Sequence, residues 1–307
     1  MSLAADPASP PSDLNATDPP NPWLALMPVF FVLVWSTGFV VAKFGLPYAP
    51  PLTFLLLRFA GVSCVLLPLI VLSRAPWPPD WRRVALAGVL MQAGYLGGVW
   101  CSIKIGMPAG ISALVVGMQP ILTAFAAPLI GESLKPRQWL GLAIGLSGVA
   151  LVVANKMHLA GLSPESVGLC VMALLSITVG TLYQKRYCPH FDLRSGALVQ
   201  FIASMIVLLP FAIAFEHLDW TLSAVEWTPH FIAALLWSIF ALSIGATFLL
   251  FALIRRGAAT KVTSLLYLTP PTTAVMAWMM FGEMLSIAGM VGMALAAVGV
   301  AFVVRKT

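Results

Sequence analysis

Eleven residues of this chain combine side-chain type and spacing in a way that could hold a small ligand: Gln92, Tyr95, Met118, Gln119, Pro120, Trp237, Ser243, Tyr267, Thr269, Pro270 and Pro271. None is an acid, a histidine or a cysteine. The chemistry on offer is therefore recognition through neutral hydrogen bonds and flat apolar faces. Pro120 and the Pro270-Pro271 pair fall near the middle of long apolar runs. Each proline frees the carbonyl four residues back, on Val116, Leu266 or Tyr267, which hydrocarbon tolerates only where protein, water or ligand satisfies it. Thr123, Thr272 and Thr273 flank the breaks, while Trp100 and Thr247 extend the same wall. Such a wall suits a zwitterion with an apolar or aromatic side chain.

Four charged residues stand near these positions, and each has a structural as well as a gating reading. Arg58 lies about six residues into an apolar run, roughly 9 Å from its start. That is within snorkelling reach of an interface, so a structural anchor is favoured over attraction of a substrate carboxylate. Glu132 and Glu283 follow apolar runs directly and suit capping, or pairing with a base such as Arg137 for Glu132. Lys43, with Lys104, could draw anions to a mouth, although a solvated rim is the commoner outcome.

Other chemistries lack their residues. No Asp or Glu falls inside an apolar run, and His158, His190, His217 and His230 all lie in connections, so a membrane proton relay is missing. Facilitated movement is then favoured over proton antiport, with organic cations poor cargo. Cys64, Cys101, Cys170 and Cys188 form no CxxC pair and read as core filler. There is no Walker loop, dinucleotide fingerprint or HExxH, so neither a cofactor nor a metal is expected, nor ATP-driven pumping by this chain alone.

The elements that must position these residues follow from composition. Of 307 residues, 60% are hydrophobic and 9% charged, and mean hydropathy is +0.95; a soluble domain carries roughly 25% charge. Ten apolar windows fall at about 24–44, 52–72, 84–103, 110–130, 139–153, 167–184, 195–215, 231–254, 262–281 and 287–304, separated by proline-rich breakers. None alternates as a barrel strand would. Residues 1–22, with six prolines and three aspartates, are expected to form a disordered tail. An all-α membrane protein of ten spans is predicted, with the lipid bilayer and a small molecule as partners, as a monomer or weak dimer. Small surfaces at Gly141, Gly145 and Gly148, and at Gly289, Gly292 and Gly299, favour packing inside the bundle over a dimer seam.

The net charge of +6 reflects orientation in a bilayer, not nucleic-acid binding. With ten spans, one side holds Arg74, Arg82, Arg83, Lys135, Arg137, Lys185, Arg186, Arg194, Arg255, Arg256, Lys261, Arg305 and Lys306. The other has only Lys43, Arg58, Lys104 and Lys156. Both termini are expected in the cytoplasm of a bacterial inner membrane.

Shifting the chain by 151 positions aligns 106–153 with 257–304 without a gap, matching Pro120 with Pro271, Gly131-Glu132 with Gly282-Glu283, and Gly141 and Gly148 with Gly292 and Gly299. A weaker shift of 142 pairs Lys43 with Lys185 and Val65-Leu66-Leu67-Pro68 with Val207-Leu208-Leu209-Pro210. Two repeats, 24–155 and 167–305, each hold five spans. An odd number inverts the second copy, the arrangement of secondary transporters.

The paired Gly131-Glu132-Ser133-Leu134 and Gly282-Glu283-Met284-Leu285 segments, each followed by spaced glycines, resemble the tandem EamA domains of the drug/metabolite transporter superfamily. Trp35-Ser36 in the first span and Arg58 in the second add to the likeness. The resemblance covers about 24–305. It implies a ten-helix carrier for small metabolites, often an amino-acid exporter, with a cavity lined mainly by the third, fourth, eighth and ninth spans. Gln200 stands where Arg58 has its counterpart, which departs from strict symmetry. Two other readings remain at this level: the same fold carrying a sugar-phosphate, nucleotide sugar, purine or drug, and a membrane-embedded transferase. The first would want several inward bases for a phosphate, and the second a catalytic cluster that the sequence does not offer.

Overall fold

Prolines and small polar residues set where the helices begin. The structure is a computed structural model that describes residues 22–126, 136–160, 162–188, 190–247, 249, 268–283 and 286–304. Glu132, Tyr267 and the expected tail up to residue 21 lie outside them. The described residues form ten helices and no strand. These are α1 (Pro22–Gly45), α2 (Pro51–Ser73), α3 (Trp81–Lys104), α4 in two pieces (Ala109–Val116 and Gln119–Phe125) and α5 (Pro136–Ala160). The second half supplies α6 (Pro164–Tyr187), α7 (Leu193–Glu216), α8 (Pro229–Gly245), α9 (Thr269–Phe281) and α10 (Ile287–Val304). Five of them, in α1, α2, α3, α6 and α7, are long and apolar enough to cross a membrane by themselves.

The helix starts follow from local chemistry. Ser163 and Thr228 accept from the Ser166 and Phe231 amides at 3.1 and 3.2 Å, and Pro164 and Pro229 occupy the first helical position. Asp192 caps α7, and a hydrogen bond from Arg194 holds its carboxyl below the usual carboxylate range. The start of α2 has no side-chain cap of its own. Glu216, at the end of α7, supplies one from across the bundle: its carboxylate accepts from the Leu52 and Thr53 amides at 2.7 and 2.8 Å and from the Thr53 hydroxyl at 2.8 Å. An acid closing an apolar helix was the available sequence signal for this clamp.

Large apolar side chains cover the outside of the bundle. Leu72, Ile206, Phe211 and Ile213 are exposed, while Ser36, Thr53, Ser102 and Thr273 are buried, the reverse of a soluble protein and the pattern a lipid-facing surface requires. Cys64 belongs to this outer face and is not core filler as expected; Cys170 and Cys188 are buried.

Each of three helices packs against its own copy in the other repeat: α2 on α7, α4 on α9 and α5 on α10. All three pairs run antiparallel. Glu216 at the end of α7 meets the start of α2; Gly110 meets Ala274 while Gly117 meets Pro270; and Gly148 meets Gly292 while Gly141 meets Gly299. In the same way, α1 lies on α8 where α3 lies on α6. These pairings describe two repeats related by a pseudo-two-fold axis in the membrane plane, so the chain is an all-α membrane protein of two inverted five-helix repeats.

The α5–α10 contact depends on hydrogen in place of a side chain. A Cβ at Gly299 would lie 2.5 Å from the Gly141 carbonyl oxygen, and one at Gly148 would lie 2.5 Å from that of Gly292. Both obstacles are backbone and cannot turn aside. Gly299→Val is expected to destabilise the fold by about 1–3 kcal/mol through overpacking. Gly168→Ala, exposed on α6 with nothing within 4 Å of its Cβ, is expected to be neutral or up to about 1 kcal/mol stabilising. Thermal melting in detergent checks both, and equal effects would discount the backbone approach.

Candidate functional site

Among the described residues three helices lose regular geometry, α3 and α8 at matched places in the two halves. α3 turns π-helical over Val89–Gly94, and its counterpart α8 does so over Trp237–Gly245. Such stretches gather at functional sites because they turn side chains away from the 3.6-residue period. α4 breaks at Gly117-Met118: the Met118 amide bonds back only three residues, to Val115, and helix resumes at Gln119 with Pro120 second. Among the described residues α9 begins at Thr269, one position ahead of the equivalent of Gln119, with Pro270 and Pro271 following. The α4 break touches this start, since a Cβ on Gly117 would stand 2.9 Å from the Pro270 ring.

Beside the irregular stretches lies a cavity of about 280 Å³. Gln92, Tyr95, Gln119 and Ser243, all expected from sequence, line it together with Trp100 and Thr247. Arg58 lines it as well. Only 7% of this residue is exposed, so it does not snorkel to an interface as expected. Its Nε donates to the Ser243 hydroxyl at 3.0 Å, and that hydroxyl donates in turn to the Ser238 carbonyl at 2.9 Å. Ser243 is thereby fixed as an acceptor facing the guanidinium.

The Gln119 amide is oriented by a similar relay. Thr181 gives its proton to the Ile177 carbonyl at 2.7 Å, so its oxygen must accept, and Gln119 Nε2 donates to it at 2.9 Å. The Gln119 Oε1 atom is left as a neutral acceptor. Flat faces come from Trp35, Phe39, Tyr95, Trp100 and Phe201. Of these, Phe39 and Phe201 carried no sequence signal beyond being aromatic, and Trp35 entered only through the Trp-Ser pair. α1, α2, α6 and α7 contribute to this wall, whereas the described part of α9 does not. Gln200, the counterpart of Arg58, instead donates to Gln184 at 2.7 Å, so among the described lining residues the charge stands on one side only.

The remaining expected residues lie elsewhere. Met118, Pro270 and Pro271 line a separate apolar pocket of about 270 Å³ between α4, α9 and α10. Met118 and Gln119 diverge because one lies in the turn that breaks α4 and the other begins the helix that follows. Pro120 lines neither pocket and acts on the backbone. Trp237 is half exposed and ties α8 to α1 by donating from Nε1 to the Thr37 hydroxyl at 2.9 Å. Thr269 is buried; its carbonyl faces the Ser36 hydroxyl, and the Thr273 hydroxyl donates to the Ser36 carbonyl at 3.2 Å.

The end of the bundle that holds Glu216 is tied several times. Lys43, at the end of α1, pairs with Glu283 in the turn after α9, and Glu283 also accepts from the Ala109 amide at the start of α4 at 3.2 Å. Lys43 stands 5.0 Å from the Phe281 ring centre as well. Lys104 donates to the Leu46 carbonyl at 2.8 Å, and the Glu226 amide to that of Tyr48 at 2.8 Å. Inside these ties a chain of tilted and edge-to-face aromatic contacts runs from Trp100 through Phe54 to Phe231 and Trp227, with ring centres 4.5, 5.4 and 5.3 Å apart.

Residues 22–154 and 166–305 each match the EamA-like transporter family. A transporter of Bacillus subtilis strain 168, YvbV, described as uncharacterized, is 27% identical over 94% of this chain and 93% of its own length. A probable amino-acid metabolite efflux pump of Salmonella typhimurium strain LT2 is 28% identical over 83% of this chain and 86% of its own. One crystal structure superposes with a TM-score of 0.61 at 21% identity, covering 90% of this chain and 94% of that one, and it supports the fold alone. The chain belongs to the EamA-like transporter family, and is a multi-pass membrane transporter, not an enzyme.

Proposed function

We propose that this EamA-like transporter exports neutral and aromatic amino acids by alternating access around the cavity between its two repeats. The observation that carries the reading is the composition of that cavity: neutral hydrogen-bonding groups of fixed orientation, Gln119, Ser243 and Thr181, opposite the faces of Trp35, Tyr95 and Trp100. At about 280 Å³ it sits at the small end of ligand sites, which suits a single amino acid better than a nucleotide sugar. One base among its described lining residues is too few for a phosphate dianion. The Salmonella relative's description as an amino-acid metabolite efflux pump supports the same class of cargo.

Movement is facilitated, without an obligatory proton, because no carboxylate stands among the described lining residues and none occurs within a span of the sequence. The basic residues crowd one face of the predicted topology, which supports a reading with both termini in the cytoplasm of a bacterial inner membrane and the Glu216 end outside. The Lys43–Glu283 pair, with the aromatic chain beneath it, is then the outer gate, and it must part for release. Lys43 is about a third exposed, so the pair biases this equilibrium only modestly.

Counterflow in proteoliposomes over the twenty amino acids, purines and organic cations is expected to give saturable exchange confined to neutral and aromatic amino acids, with no fixed proton stoichiometry. Exchange of organic cations, or a constant proton count, would overturn this reading. Tyr95→Ala is expected to raise the half-saturation concentration about two- to tenfold, the scale of one or two lost contacts, with the protein still folded. Glu283→Gln should increase labelling of the cavity from outside by roughly two- to fivefold, matching the worth of a part-exposed pair; unchanged labelling would remove the pair from gating.

A further inference from the structure

An arginine in a membrane-embedded cavity needs an anion, and among the described residues this one has no anionic partner. Arg58 is 93% buried, within the apolar length of α2, and has five N–H donors. One, on Nε, reaches the Ser243 hydroxyl. The other four meet no acceptor among the described residues. The sequence offers no carboxylate for them either, since each of its eleven acids falls in the tail, in a connection or at a helix end. Glu216, the acid nearest in the fold along α2, is fully engaged at the helix start by Leu52 and Thr53.

We infer that the Arg58 guanidinium is the anchor for a carboxylate on the cargo, and that the cargo's amino group is not read by charge. The inference rests on the transport reading of the same cavity and names the group that this cavity selects. Ser243 accepts at Nε and holds the guanidinium plane, leaving the two terminal nitrogens to bond both oxygens of one carboxylate, the geometry for which a planar fork is suited. The Ser243 hydroxyl is itself fixed by the Ser238 carbonyl. An ammonium group, in contrast, finds only neutral acceptors such as Gln119 Oε1. A singly charged carboxylate neutralises the cavity, whereas an amine without a carboxylate would place a second positive charge beside Arg58. Because Gln200 replaces the arginine in the other half, the carboxylate end of the cargo is held on the α2 side alone.

Three compounds of one shape separate these demands: phenylalanine, 3-phenylpropionate, which lacks the amine, and phenethylamine, which lacks the carboxylate. Each is added as a competitor to counterflow of labelled phenylalanine by the full-length protein in liposomes. 3-Phenylpropionate is expected to compete within about threefold of phenylalanine, and phenethylamine at least about tenfold more weakly, as loss of a charge-assisted bond requires. Equal or stronger competition by phenethylamine would overturn the inference while leaving the transport reading intact. Absence of any phenylalanine counterflow would defeat the transport reading instead. The anchor is then judged from thermal stabilisation of the detergent-solubilised protein by the same compounds, where the acid should stabilise and the amine should not, and stabilisation by the amine alone would refute it. Arg58→Gln should abolish the preference for the acid, Arg58→Lys should retain part of it, and an undiminished preference in a monodisperse Arg58→Gln protein would refute the assignment. If Arg58→Gln does not fold, the wild-type compound series decides.

Discussion

Three helices of this inverted repeat, α2, α4 and α5, each come close to their own copy, and that approach governs the rest of this molecule. α5 and α10 meet backbone to backbone at Gly141, Gly145, Gly148, Gly292 and Gly299. Nearer the axis, the α4 break abuts the start of α9 through Gly117 and Pro270. In lipid there is no hydrophobic gain from bringing helices together, so close packing of small residues supplies the attraction. With α5 and α10 joined at one flank and α2 and α7 at another, the space between α1, α3, α6 and α8 cannot be filled by regular helices. The π-helical stretches in α3 and α8 border that space, and the cavity opens beside them.

Symmetry in the backbone does not extend to chemistry. Arg58 and Gln200 occupy equivalent positions, yet one lines the cavity and the other is engaged by Gln184. Likewise, Lys43 pairs with Glu283 at one end of the bundle. A carrier needs near-equivalent halves in order to exchange conformations, but it needs a one-sided site in order to hold its cargo in one orientation. Both requirements are met by confining the differences to a few side chains on a shared scaffold.

Much of the architecture was legible because each span is a long run bounded by proline, and because the Gly-Glu and Pro matches survive at a constant shift of 151. The glycine stripes also announced their contact. Side-chain direction near the cavity was less legible. Arg58, counted from the helix start, belonged near an interface; its burial depends on Ser243, 185 residues away, turned inward by a π-helical stretch that no local pattern marks. The same stretch leaves Trp237 at the surface, tied to Thr37. Met118 and Gln119 looked equivalent as neighbours of a break, yet the turn sends one to an apolar pocket and the other to the polar cavity. Glu216 was overlooked because its partners are backbone amides of another helix, which sequence does not display.

The central claim is that the cavity at the repeat interface is the site the protein exposes alternately to the two sides of the membrane. Met91 lines it without engaging in any side-chain hydrogen bond among the described residues, so Met91→Cys, in a background with the four native cysteines replaced, reports on the cavity with little disturbance. Labelling by a membrane-impermeant thiol reagent, applied from each side of oriented proteoliposomes with and without cargo, is the direct measurement. The account predicts labelling from both sides and protection by cargo in each case. Labelling from one side only, unaffected by cargo, would contradict it.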